Sequence, residues 1–257
     1  MTKTTAAFAL MASLTTSPLA ALDLAAMTAA ERAAFQNEIR TYLLENPEVI
    51  MEAVAVLEER QAGQQADADA SLVQVNGADL FEDANSFVGG NLEGDLTLVE
   101  FVDYRCGYCR KAHDEVAQLI EADGNIRFIV KEFPILGEAS VVSSRFAVAT
   151  KLVAGDEAYK AVSDALITLK SDVEETVLRA LASSLSLDPD AILAKMESDE
   201  VTAVIAENRA LGQRLNISGT PTFVMGDQIL RGYMPLAQMQ EIAEDIRSEL
   251  KRASAQR

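Results

Sequence analysis

The only two cysteines of the chain, Cys106 and Cys109, are separated by Gly107 and Tyr108. On a helix this spacing puts the second about one turn beyond the first, so the sulfurs can join and part without straining the backbone. The pair is a candidate redox switch. Leu96 to Val102 is apolar and rich in β-branched residues, broken only by Glu100, whereas Ala112, Val116, Leu119 and Ile120 recur at helical spacing. The pattern predicts a strand, a turn and a helix with Cys106 at its N-terminus. Unpaired N–H groups and the helix dipole at that point favour an anionic sulfur, the form that attacks disulfides. Cys106 is then the attacking sulfur that forms a mixed disulfide, and Cys109 either resolves it or waits while the substrate rearranges.

Three nearby side chains could assist. A carboxylate at Glu100 would be buried in its strand with a raised pKa, and such a group can pass protons to the resolving thiol. Lys131, ending the next predicted strand, could partner it; the alternative is an edge glutamate turned to solvent. Tyr108 sits at the exposed tip of the turn, where it would contact substrate, while Phe101 and Tyr104 read as core or groove lining. His113, the only histidine, completes a C-x-x-C-x-x-x-H array with the cysteines. That array has no fourth ligand for a closed site, so a surface histidine is expected and no metal. No other cofactor is expected either.

These residues need a scaffold. With 257 residues, 49% of them hydrophobic and 24% charged, the chain can bury one substantial core plus a small appendage. A formal charge of −18 argues against nucleic acid as a partner. Residues 1–21 carry Lys3, an apolar run and a small-residue stretch, the pattern of a secretory signal peptide, so the remainder is expected in the periplasm. Both cysteines lie in one motif and leave none for a structural bridge.

Residues 22–71 read as a helical N-terminal segment with a linker. Thr28 and Glu31 form a capping box for a helix over 28–44, and Asn46-Pro47 opens a second helix with Ile50, Val54 and Leu57 on one stripe. Residues 58–70 have no apolar face and fit a linker or a solvated helical extension. Two short amphipathic helices cannot cover each other fully, so they either associate with other copies or pack on their own catalytic domain. From residue 80 the pattern alternates. Residues 88–91 read as a turn before the first strand, 126–132 as a second strand, about 137–215 as a helical insertion, 222–225 and 228–231 as a hairpin joined by Gly226-Asp227, and Pro235 as the start of a last helix.

The motif Cys106-Gly107-Tyr108-Cys109 after a strand, Gly219-Thr220-Pro221-Thr222-Phe223 before a hairpin, and the closing helix resemble the thioredoxin superfamily, specifically exported DsbA-like proteins, over residues 80–257. The resemblance implies an α/β thioredoxin-like fold with a helical insertion, preceded by a small α-helical segment. It also implies a cis proline at Pro221 facing the cysteines, with Thr220 and Pro221 aligning substrate backbone and Glu100 serving Cys109. Gly107-Tyr108 and Thr220 are similar to the DsbC-type isomerases. An acidic helical N-terminal extension resembles the ScsC-like isomerases, which implies a homo-oligomer, a trimer in that family.

The expected activity is therefore disulfide shuffling in unfolded or misfolded exported proteins, with a membrane thiol reductase or oxidase resetting the pair. A DsbA-like dithiol oxidase is the alternative within the same chemistry. A periplasmic metal binder or a holdase built on the N-terminal helices is the alternative outside it.

Overall fold

The computed structural model describes residues 25–255 of the chain. The expected signal peptide lies outside the described residues. The chain divides after residue 59 into two units.

In the first unit, α1 (Ala29–Glu45) opens at Thr28, whose hydroxyl accepts from the Glu31 N–H at 3.3 Å while the Glu31 carboxylate accepts from the Thr28 N–H at 2.8 Å. That is the capping box expected from sequence. α2 (Glu48–Val75) begins in this unit. Phe35, Ile39, Tyr42, Ile50, Val54 and Leu57 are all exposed, and no residue of α1 is buried.

The second unit starts within α2. Residues 58–70 are helical throughout, because a run rich in Ala, Gln and Glu keeps helix propensity without an apolar face. Toward its end Asp69 is buried and accepts from both terminal nitrogens of Arg231, at 2.6 and 2.9 Å. A short α3 (Gly77–Phe81), which the sequence pattern did not announce, places Leu80 in the core.

Five strands form one sheet in the order β1-β3-β2-β4-β5: β1 (Phe87–Gly90), β2 (Leu96–Val102), β3 (Ile126–Glu132), β4 (Thr222–Met225) and β5 (Gln228–Arg231). β2 and β3 are parallel and every other pair is antiparallel. Residues 88–91 were expected as a turn; all but Asn91 are strand. Gly-Gly reads as a breaker in isolation, but at this edge Gly90 turns at φ 67°, where an added Cβ would lie 2.4 Å from the Ile126 carbonyl oxygen.

Alternation along the strands gives the sheet two apolar faces. Leu98, Val102, Phe128 and Val130 pack toward α4 (Gly107–Asp123), α5 (Glu138–Thr168) and α9 (Leu236–Ala255). Val99, Phe101 and Ile129 pack with Leu80, Leu211 and Leu215 on the other side. The insertion comprises α5, α6 (Glu175–Ser184), α7 (Pro189–Met196) and α8 (Asp199–Arg214). α5 kinks at Gly155, whose φ of 84° and ψ of −174° no helix interior allows.

Candidate active site

β2 delivers the chain to a turn that Asp103 organises. Fully buried, its carboxylate accepts from the N–H groups of Arg105 at 2.9 Å, Ile135 at 2.8 Å and Leu136 at 3.1 Å. One side chain thus pins the entry to α4 and the exit from β3 together. Cys106 is the N-cap of α4, with extended backbone (φ −77°, ψ 120°) and its N–H on the Asp103 carbonyl at 3.0 Å.

Both cysteines are free thiols. The Cys106 S–H donates to the Thr220 carbonyl oxygen at 3.1 Å, and the Thr220–Pro221 peptide bond is cis. Cys109 is 1% exposed. Burial, and then the Glu100 carboxylate, pushes its thiol well above the ordinary cysteine range. The hydroxyl of Thr220 is buried without a hydrogen-bond partner.

Glu100 points into the sheet face that carries Leu98 and Val102 and is 6% exposed. Burial raises its carboxyl to about 7, opposed by the nearby charge of His113 and reinforced by that of Glu132. The expected Lys131 partnership is not formed. Glu100 pairs with Val130 in the ladder and Lys131 with Phe101, so alternation sends the two charges to opposite faces. Lys131 instead donates to the Asp79 carbonyl and the Asp83 carboxylate, both at 2.7 Å.

Tyr108 is 64% exposed, and its ring stacks on Tyr233 with centroids 6.3 Å apart. Lys111 lies over the Tyr233 ring at 4.0 Å, and the Tyr233 hydroxyl donates to Glu115 at 2.6 Å. The same loop is tied to the proline: the Gly232 N–H donates to the Pro221 carbonyl at 2.9 Å. His113 makes an ion-pair contact through Nε2 with the Asp164 carboxylate at 3.2 Å. Among the described residues no group of three or more His, Cys, Asp and Glu converges as a metal site.

The site also holds residues that sequence reasoning missed. Glu132 is buried, accepts from the hydroxyls of Tyr104 and Tyr159 at 2.6 Å each, and is raised to about 7 by burial. Its partners lie 28 and 27 positions away, which no local pattern displays. Asp103 did carry a signal: Asp, Asn and Ser at the end of a strand commonly fold back on the backbone two residues on.

A thiol at a helix N-terminus, a buried second thiol one turn away and a buried carboxyl group on the neighbouring strand are an arrangement that can exchange thiols for disulfides. Residues 82–245 match the family model described as Thioredoxin. The chain belongs to the thioredoxin family. Within that family its chemistry is that of a thioredoxin-like thiol-disulfide oxidoreductase, and residues 31–64 match a second model, the copper resistance protein ScsC N-terminal domain.

A thioredoxin-like oxidoreductase from Silicibacter pomeroyi DSS-3 is 40% identical, covering 66% of this chain and 97% of that one, with a TM-score of 0.62. Proteus mirabilis ScsC in a transitional conformation is 27% identical over 88% of this chain and 100% of its own, with a TM-score of 0.63. The Bacillus subtilis (strain 168) disulfide bond formation protein D is 24% identical over 179 residues, 63% of this chain and 76% of that protein. No described helix is long and apolar enough to cross a membrane.

Proposed function

We propose that this oxidoreductase is exported to the periplasm and isomerises disulfides in unfolded or misfolded proteins there. The observation that carries the reading is the placement of the two sulfurs. Cys106 faces the Thr220 carbonyl beside Pro221, while Cys109 is sealed behind it against Glu100.

In this mechanism Cys106 attacks a substrate disulfide, forming one S–S bond and expelling a substrate thiolate. Thr220 and Pro221 align the substrate backbone, and Tyr108 covers its side chains. Cys109 reaches the mixed disulfide only after losing its proton. Because burial beside a carboxylate opposes that loss, the mixed disulfide lasts and the freed substrate thiolate has time to attack a different bond. Glu100, poised near neutrality, takes the Cys109 proton when resolution does occur. Neither Gly107 nor Tyr108 adds a cation beside Cys106. That absence favours shuffling over the strongly oxidising poise of an oxidase.

A membrane thiol reductase would keep the pair reduced, and the N-terminal helices would join several copies, three in the favoured arrangement, around one client. The test is reactivation of scrambled ribonuclease alongside a glutathione equilibrium. An isomerase restores activity without added oxidant, loses this with Cys106→Ser, and acts with its cysteine pair held reduced in the glutathione buffer. A protein that oxidises reduced ribonuclease rapidly yet leaves the scrambled form inactive is instead a dithiol oxidase.

A further inference from the structure

A cavity of about 230 Å³ lies on the inner side of α4, bounded by the second half of α5 and by β1, β2 and β3. Glu100 forms part of its buried wall, and His113 and Asp164 form part of its rim. Their side chains are 27% and 41% exposed, so the rim reaches water. The space exceeds what one water molecule needs, and Glu100, His113, Ser163 and Asp164 are among the polar side chains that line it.

The charged groups around it are few. β2 contributes Glu100, α4 contributes His113 and Glu121, and α5 contributes Lys160 and Asp164, while the lining residues of β1 carry no charge. From β3, Glu132 acts on Glu100 through its charge. The tyrosine hydroxyls on this side are occupied by Glu132. Lys160 is bound to Asp164 at 2.6 Å, and a charged ammonium has no lone pair with which to accept a proton. Glu121 is exposed, two turns beyond His113 on α4. An imidazole can accept on one ring nitrogen and donate from the other near neutral pH, and Asp164 already orients Nε2.

We infer that His113, held by Asp164, is the relay through which Glu100 trades its proton with solvent when the mixed disulfide is resolved. The step balances as follows. Cys109 gives its proton to the Glu100 carboxylate, the thiolate forms a bond to the Cys106 sulfur, and the substrate sulfur leaves with the electron pair of the broken S–S bond. Glu100 then passes its proton through cavity water to His113, and the imidazolium releases it to bulk water or buffer. The inference rests on the proposed role of Glu100.

The experiment follows the reaction of the reduced full chain with dithionitrobenzoate. A first nitrothiobenzoate is released as Cys106 is capped, and a second as Cys109 attacks. In weak buffer near neutral pH, His113→Ala and Asp164→Asn should slow the second release about tenfold relative to the first, within the roughly 10²–10⁴ that positioned acids and bases supply. Added imidazole should restore the rate of His113→Ala. A second release at the wild-type rate in His113→Ala overturns the relay. So does a slowed release that imidazole leaves unmoved, because His113 would then act by packing or charge alone. If Glu100→Gln slows the second release while His113→Ala does not, only the relay fails. If Glu100→Gln has no effect, the role of Glu100 fails and takes the relay with it.

Discussion

Of the 40 acidic residues, most could sit in water, yet Glu100 and Glu132 are buried and each carboxyl is raised from 4.5 to about 7. In both the leading cause is burial, and their mutual repulsion adds to it at Glu100. A raised acid means that the folded chain binds the proton more tightly than the unfolded chain. The associated stability is complete below pH 4.5 and is lost as pH climbs through about 7. The difference amounts to roughly 3 kcal/mol once both states are ionised. Glu100→Gln removes this liability. Urea unfolding of the reduced protein should therefore show the variant close to wild type near pH 4 and more stable by up to about 3 kcal/mol near pH 8. Comparing the two proteins at each pH cancels the global repulsion of a chain at −18. A gap that stays constant across that range would mean Glu100 is not the buried acid described here.

Between elements, the active-site helix and the turn before it are fastened to the C-terminal end of α5 by two guanidinium groups. Arg110 donates to the carbonyls of Ile167 at 2.7 Å and Leu169 at 3.2 Å, and Arg105 donates to the Ser171 carbonyl at 3.0 Å. These carbonyls belong to the last turn of α5 and the segment after it, where no further helix N–H is available to them. A cation at a helix C-terminus also suits the dipole. Arg110→Ala should lower stability by about 1.5–3 kcal/mol, the range for hydrogen bonds to charged groups, and raise amide exchange over residues 165–171. Arg110→Lys should recover less than half, since an ammonium lacks the fork that serves two carbonyls. Unchanged exchange there in Arg110→Ala would show that the insertion is held by packing alone.

Sequence periodicity reached some of this arrangement and missed the rest. The strand-turn-helix at Cys106 was legible because Leu96–Val102 and the α4 stripe have different periods. The Gly226-Asp227 hairpin was legible because its turn chemistry is local. The edge strand β1 was not, since Gly90 there answers to a close approach to Ile126 across the sheet. The Arg110 and Glu132 contacts were equally invisible, because their partners lie 27 to 59 positions away and meet them only in the fold.

At the scale of the whole molecule, the first unit carries apolar side chains that it does not bury. Phe35, Ile39 and Tyr42 recur at helical spacing on α1, and Ile50, Val54 and Leu57 do so on α2, all of them exposed. Exposed apolar stripes of this kind mark an interaction site. If the partner is a second and third copy, glutamates introduced on both stripes must break the assembly, because each copy would then bring like charges into an apolar contact. The double variant Ile39→Glu, Val54→Glu should scatter light as a single chain where wild type scatters as several. Its cysteine chemistry depends on residues beyond 59, so reduction of insulin disulfides should persist. If several sites around one client are what rearranges it, reactivation of scrambled ribonuclease should fall severalfold. Wild type that scatters as a single chain ends the self-association reading. A monomeric variant that still reactivates ribonuclease at full rate would separate isomerisation from assembly and leave it to the slow resolution at Cys109 alone.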